Sequence, residues 1–257
     1  MFAPYRFVDL YVRGAIGEHV AFVFPPLILY FLLKLLKIDH YYRYTSISLI
    51  VGGALSVAGL ILSHNAISLM FMPFILLYAL YLQSTSKESF GHLRGVVAMA
   101  LLGFGLSAFF WIPAFFEGKY TLRDIVTAGE YASRFTDFAH FVYSPWNYGG
   151  SGQFSLQVGI IHWVIIVLTI PVIYILYKRK NNLWILALST FVLFWLTIFI
   201  MTPLSKIVWD NVSILQKFQF PWRFMSVSVF LIGVLGGLGI YLVPNKLKTL
   251  VVFCFIL

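Results

Sequence analysis

The stretch LILSHNAISLMFMPF (residues 60–74) decides how this chain folds. Apolar residues flank Ser63, His64 and Asn65 on both sides. Three consecutive polar side chains are costly in hydrocarbon, where no water satisfies them. They mark either a water-facing turn between two membrane spans or a polar site inside a bundle. Ser and Asn cap helices and favour turns, which suits the first alternative. A turn does not require histidine, which keeps the second open.

The rest of the chain decides what the flanks are. Its 257 residues are 61% hydrophobic, 19% aromatic and 11% charged, and its mean hydropathy is +0.90. Several apolar runs reach the ~18 residues that a crossing of the hydrocarbon core needs. The pattern predicts an all-α, polytopic transmembrane helical bundle, a single transmembrane domain over residues 1–257. About seven complete spans are expected, near 19–37, 45–63, 66–83, 95–116, 157–177, 183–202 and 224–243, with a partial eighth from 249.

The net charge of +9 follows from loop composition. Lys34, Lys37 and Arg43, then Lys87 and Arg94, then Lys178, Arg179 and Lys180, then Lys246 and Lys248 occupy alternate short loops. The positive-inside bias places these on the cytoplasmic face and the other set outside: residues 1–18, the turn at 63–65, the loop 117–156 and the segment 203–223. No basic stripe interleaved with exposed aromatics points to nucleic acid. The single cysteine, Cys254, excludes an intramolecular disulfide. The N-terminus lacks the pattern of a cleavable signal peptide. The apolar run in LKTLVVFCFIL is short for a span, and Arg6 and Arg13 lie outside with no preceding span, so the chain is expected to be part of a longer protein.

Four stretches carry candidate chemistry. YRFVDLYVRGAIGEH (5–19) is expected to be an outer interfacial helix within residues 1–18, with Asp9 and Arg13 at i, i+4. As a plain anchor, its ion pair is exposed and contributes little. As the wall of an outward cavity, Arg13 meets a phosphate while a carboxylate, Asp9 or Glu18, does acid-base work. GLSAFFWIPAFFEGKYTLRD (105–124) ends a span: Pro113 is expected to bend or terminate the helix, Phe109, Phe110, Trp111, Phe115 and Phe116 form an aromatic belt, and Glu117 stands at the boundary.

The loop 117–156 is long enough to be functional or to carry its own structure. Ile125, Val126, Tyr131, Phe135 and Phe138 have the spacing of a short surface helix. SPWNYGGSGQFS (144–155) reads as a lid-like turn in which Trp146, Asn147 and Tyr148 can stack on and hydrogen-bond a sugar. Its GGSG lacks the Gly-Lys-Ser/Thr of a phosphate loop. LQKFQFPWRF (215–224) puts Pro221 in a first helical turn and Trp222 and Arg223 at the outer interface, either as anchors or facing an anionic headgroup. The serines Ser46, Ser48 and Ser56, with neighbouring glycines, suit close helix packing. No His-x-x-x-His or cysteine pair offers a metal motif. A divalent metal would need the distant carboxylates Asp9, Glu18 and Glu117, and the cofactor is left open.

PYRFVDLYVRGAIGEHVAF, LSHNAISLMFMPFILLYAL, GLSAFFWIPAFFE and FQFPWRF, in this order and spacing, resemble bacterial and archaeal multi-pass proteins labelled 6-pyruvoyl-tetrahydropterin synthase-related membrane proteins. Those proteins resemble the GT-C class of membrane glycosyltransferases. The resemblance implies a GT-C-like bundle that moves a sugar from a polyprenyl-phosphate donor to a cell-envelope acceptor on the outer face. It implies Arg13 and Arg223 as phosphate contacts, with His64, Asn65 and Trp222 lining the substrate cavity. It makes Asp9, Glu18 and Glu117 the catalytic carboxylate candidates. The acidic pair expected in such an enzyme's first outer loop is missing here and would lie upstream of Met1. The expected partners are membrane lipids and the donor lipid. A non-enzymatic alternative is a lipid-linked-saccharide transporter or an assembly subunit, for which the spans offer few polar residues at mid-depth.

Overall fold

The computed structural model describes residues 3–37, 43–85, 91–120, 129–146 and 154–256. Lys87, Ile125, Val126, Asn147, Tyr148 and the glycines of GGSG lie outside the described residues. In chain order the helices are α1 (Pro4–Phe7), continued by a π-helical turn Val8–Val12, then α2 (Ile16–Ala21), α3 (Phe24–Lys37), α4 (Arg43–Ser63) and α5 (Asn65–Thr85). They continue with α6 (Gly91–Leu106), α7 (Ala108–Phe116), α8 (Phe138–Val142), α9 (Ile160–Lys178) and α10 (Leu183–Met201). The last are α11 (Lys206–Asn211), α12 (Ser213–Gln216), α13 (Met225–Leu242) and α14 (Asn245–Ile256).

This is the all-α membrane bundle that the composition predicts. Among the described residues five helical stretches are long and apolar enough to cross a bilayer: Ile16–Leu36, Asn65–Thr85, Ile160–Lys178, Leu183–Met201 and Pro221–Leu242. A sixth is counted if Leu93–Leu106 and Ala108–Phe116, bent by 69°, form one span. The apolar part of α4, Ile47–Ser63, is shorter than these.

The chain divides into two compact units, Ile16–Thr127 and the combination of Met1–Ala15 with Ala128–Leu257. No composition shift marks that division, because both units bury the same kinds of apolar side chain.

In the unit Ile16–Thr127, α4 packs on α3 and α6, and α3 also packs on α5. Glycine makes the close approaches. A Cβ on Gly52 would stand 2.5 Å from the Phe31 ring, on Gly53 2.2 Å from the Met99 sulfur, and on Gly59 2.3 Å from the Phe24 ring. The Ser56 hydroxyl turns back onto the Gly52 carbonyl at 2.8 Å, satisfying itself within its own helix. The small-residue face of α4 therefore does what its composition suggests: it lets large side chains of neighbouring helices sit against its backbone.

The bend between α6 and α7 is not at Pro113, which lies inside α7. It falls at Ser107, between Leu106 and Ala108. There the Ser107 hydroxyl donates to the Gly103 carbonyl at 2.9 Å, and the Trp111 indole N–H donates to the Phe104 carbonyl at 2.9 Å. A side chain has taken the acceptor that the Ala108 amide would use in a straight helix, and such insertions into the backbone ladder bend helices.

In the second unit α9, α10 and α13 pack against one another and α1 packs on α13. Thr197 and Ser228 share a buried hydrogen bond of 2.8 Å between α10 and α13. The N-terminal segment is not one interfacial helix. It is α-helical for four residues, π-helical for five, and ends where Gly14 takes a φ of 61°. Tyr5, Val8 and Asp9 are buried. That face packs into its unit, while Phe7 and Tyr11 stay exposed. Of the expected surface helix in 117–156, the described part is a 3-10 turn Glu130–Ser133 and the short α8. Tyr131 is buried, stacked on the fully buried Trp209 with ring centroids 5.5 Å apart.

The Tyr131 hydroxyl donates to Asp210 at 2.8 Å, and Lys206 donates to the other oxygen of that carboxylate at 2.7 Å. The hydrogen bonds from Lys206 and Tyr131 hold the Asp210 carboxyl below its ordinary value of 3.8. The Asp210 carboxylate raises Lys206 above 10.5 and Tyr131 above 10.0. A lowered carboxylate stabilises the fold above its ordinary pKa and loses that contribution as pH falls through the folded value. A raised phenol or ammonium contributes below its ordinary pKa and loses it as pH rises. The melting-temperature difference between wild type and Asp210→Asn is therefore expected to be flat from pH 5 to 9, to shrink below pH ~3.5 and to shrink again above pH ~10.5. A difference that grows towards acid would reverse the assignment.

Candidate anion site and buried carboxylates

The turn that precedes α13 is built around an unusual backbone. The Phe220 amide donates to the Phe218 carbonyl at 2.7 Å, and the residue between them, Gln219, has a φ of 69°. That is a γ-turn whose central residue sits in the left-handed region, a strained arrangement for a side chain with a Cβ. Pro221 then starts a 3-10 turn, Pro221–Phe224, whose fixed φ suits a helix entry. The result is that Phe220 and Trp222 stack, with centroids 5.1 Å apart and planes at 13°.

Three arginines dress this stack. Arg13 lies over Trp222 at 4.4 Å. Arg223 lies over Phe220 at 4.9 Å, and Arg134 over the same ring at 5.7 Å. Arg223 also donates to the Phe218 carbonyl at 2.9 Å, which fixes its guanidinium beside the γ-turn. Arg134 is exposed and stands 3.6 Å from Glu130. Ring faces attract guanidinium groups, whose N–H edges fork onto phosphate or carboxylate oxygens.

Arg13 differs from the other two. Its guanidinium pairs with Asp9, whose side chain is fully buried while that of Arg13 is 13% exposed. It also lies 3.5 Å from the Tyr5 hydroxyl. The i, i+4 spacing gave the pair correctly, but the pair is not the exposed one of a surface anchor. Burial makes it a structural ion pair, with Asp9 holding Arg13 against Trp222. The structure thus assigns Arg13 to Trp222 and its carboxylate, and brings Arg134 to the ring that Arg223 occupies. Trp222 itself is buried, not displayed at the interface.

In the other unit the opening tripeptide is a one-residue break: α4 ends at Ser63, α5 begins at Asn65, and only His64 is outside both. His64 caps α5, its Nδ1 accepting the Ile67 amide at 3.3 Å. An Nδ1 that accepts leaves the proton of the neutral ring on Nε2, and Nε2 faces Glu18 at 3.6 Å. Glu18 is buried in the first turn of α2. Gly17 makes this possible, since a Cβ there would meet the Ser63 carbonyl at 2.7 Å. Asn65 is partly buried and its carbonyl accepts the Ser68 hydroxyl at 2.8 Å. The polar trio is therefore a helix junction whose partly exposed histidine faces a buried carboxylate.

Glu117 follows the end of α7 and is exposed; its amide caps that helix on the Pro113 carbonyl at 2.8 Å. Among the described residues no group of three His, Cys, Asp or Glu residues stands close enough to hold a metal ion. Comparison with family models, with curated proteins and with solved structures returns no match.

Sequence reasoning missed Arg134, Phe220 and Gln219. Arg134 lies far from Arg223 along the chain and no local spacing ties them. The positive φ of Gln219 has no signature in a residue type that usually avoids it. Gln219→Gly is expected to raise thermal stability by up to about 1 kcal/mol, because glycine adopts that φ without strain. Unchanged or lower stability in a chemical-denaturation comparison would show that the turn is not strained.

Proposed function

We propose that this protein is a membrane glycosyltransferase of the GT-C kind, moving a sugar from a polyprenyl-phosphate donor to a cell-envelope acceptor. Its bundle has seven or more spans, its lysine-rich loops are cytoplasmic, and His64, Glu117 and Arg223 open to the outer side. The observation that carries this reading is the placing of two guanidiniums, Arg223 and Arg134, over the single ring of Phe220. Two planar cations held by one aromatic ring, at the entry of an apolar span, suit the phosphate of a lipid whose tail lies in the bilayer. Arg13, held by Asp9, positions Trp222 and lends its charge to the same stack.

In transfer, the departing phosphate gains negative charge, and cations already fixed in place stabilise that change without reorganising. Asp9, Glu18 and Glu117 are the candidate carboxylates for taking the acceptor's proton, and His64 and Asn65 are candidate hydrogen-bonding groups for substrate. Glu117 remains the exposed alternative. The resemblance in sequence supports the donor class, and the aromatic–arginine stack supports the phosphate.

The test reconstitutes the chain in vesicles with a radiolabelled polyprenyl-phosphate sugar and a mixture of cell-envelope acceptors. Label should move to acceptor with wild type and far more slowly with Arg223→Ala. Transfer that proceeds equally in wild type and Arg223→Ala would remove the proposal.

A further inference from the structure

Helix α7, AFFWIPAFF, has no buried residue on any side. Phe109 and Phe115 are each 73% exposed and Phe116 62%, and these, with the exposed Phe110 and Ile112, point in every direction around the axis. The helix is nine residues long, too short to cross a bilayer, and it turns 69° away from α6. We propose that α7 is a re-entrant helix immersed obliquely in one leaflet, and that lipid acyl chains surround it on all faces. The proposal does not depend on the sugar-transfer reading.

Two observations select lipid over a protein partner or water. A partner subunit covers one face of a helix and would leave phenylalanines on the opposite face exposed. An amphipathic helix resting on a surface carries a polar face, and α7 has none. Only a surrounding apolar solvent serves every side chain. The break at Ser107 is the second observation. In hydrocarbon a broken helix must satisfy its own freed carbonyls. Here the Trp111 indole and the Ser107 hydroxyl both reach the Phe104 carbonyl, at 2.9 and 3.3 Å, so side chains of the same segment do what water would do elsewhere. Leu101, Leu102, Phe104 and Leu106 at the end of α6 are exposed apolar residues as well. The exposed Glu117 and Tyr120 then mark where the chain returns to the headgroups.

Depth measurement tests this. Nitroxide labels are placed singly at positions 97, 101 and 104 on α6 and 109, 112, 115 and 116 on α7, in a Cys254→Ser background in phosphatidylcholine/phosphatidylglycerol vesicles. All α7 sites should collide readily with oxygen and poorly with a water-soluble nickel chelate. Depth should change per residue along α7 about a third as steeply as along α6 if α6 stands along the bilayer normal, and less than about two-thirds as steeply for a tilt of ~20°. Equal gradients would make α7 the straight end of a span. Nickel access on one face would make it a surface helix, and oxygen protection on one face would make it a protein contact; each overturns the proposal. Should a label unfold the protein, the difference in quenching between wild type and Trp111→Phe, using lipids brominated at shallow or deep chain positions, reads the same depth. Quenching strongest with shallow bromines is expected, and none with either set overturns immersion.

Discussion

Arg223→Ala is expected to weaken binding of a polyprenyl monophosphate by about 10- to 100-fold while the protein still folds and stays monodisperse. The magnitude follows from losing one charge-assisted, forked contact to phosphate, worth about 1.5–3 kcal/mol. Arg223→Lys should recover less than half of the lost binding free energy. A lysine ammonium keeps the charge but cannot lie flat on Phe220 while presenting two parallel donors. Arg134→Ala should cost less, because Arg134 is exposed, sits farther from the ring and is already shared with Glu130. The double variant should lose less than the sum of the two, since both guanidiniums address one ligand. Titration of reconstituted protein with fluorescent polyprenyl phosphate measures all four. Binding equal to wild type in Arg223→Ala, with the fold intact, would leave the arginine–aromatic stack as packing alone.

The sequence made the bundle legible because membrane physics permits few alternatives. An apolar run that must satisfy its backbone in hydrocarbon has to be helical, so α5, α9, α10 and the span starting at Pro221 lie near where hydropathy places them. Local spacing also carried information. It paired Asp9 with Arg13 and put Pro221 in a first turn. What spacing cannot carry is burial and long-range contact. Nothing in YRFVDLYVRG says that Asp9 is sealed from solvent, or that Arg13 finds a tryptophan more than 200 positions away. Proline did not mark the bend, which belongs to Ser107 and a tryptophan side chain, although α7 does end within a turn of Pro113. A turn does not require histidine, and what His64 does there falls on two atoms that sequence cannot separate: Nδ1 caps α5 and Nε2 faces Glu18.

The buried ion pair yields the largest stability effect. Asp9→Ala is expected to destabilise the protein by up to about 3–5 kcal/mol, because it takes the buried carboxylate from a guanidinium that is mostly shielded from solvent. Asp9→Asn should cost less, since the amide oxygen still accepts from Arg13. The pair as a whole need not be stabilising. Removing both charges with apolar residues of similar volume, Asp9→Leu with Arg13→Met, should restore most of the stability lost in Asp9→Ala. That pattern separates structure from chemistry. If Asp9 serves only to hold Arg13, the double variant recovers stability, and its donor binding falls only by the charge that Arg13 lends to the stack. If Asp9 acts on substrate, Asp9→Asn keeps near-normal stability but loses transfer altogether. Thermal unfolding followed by tryptophan fluorescence, read beside the transfer assay for the same variants, distinguishes the two. The full burial of the Asp9 side chain favours the first outcome, because a carboxylate that exchanges protons with an incoming acceptor needs a path to it.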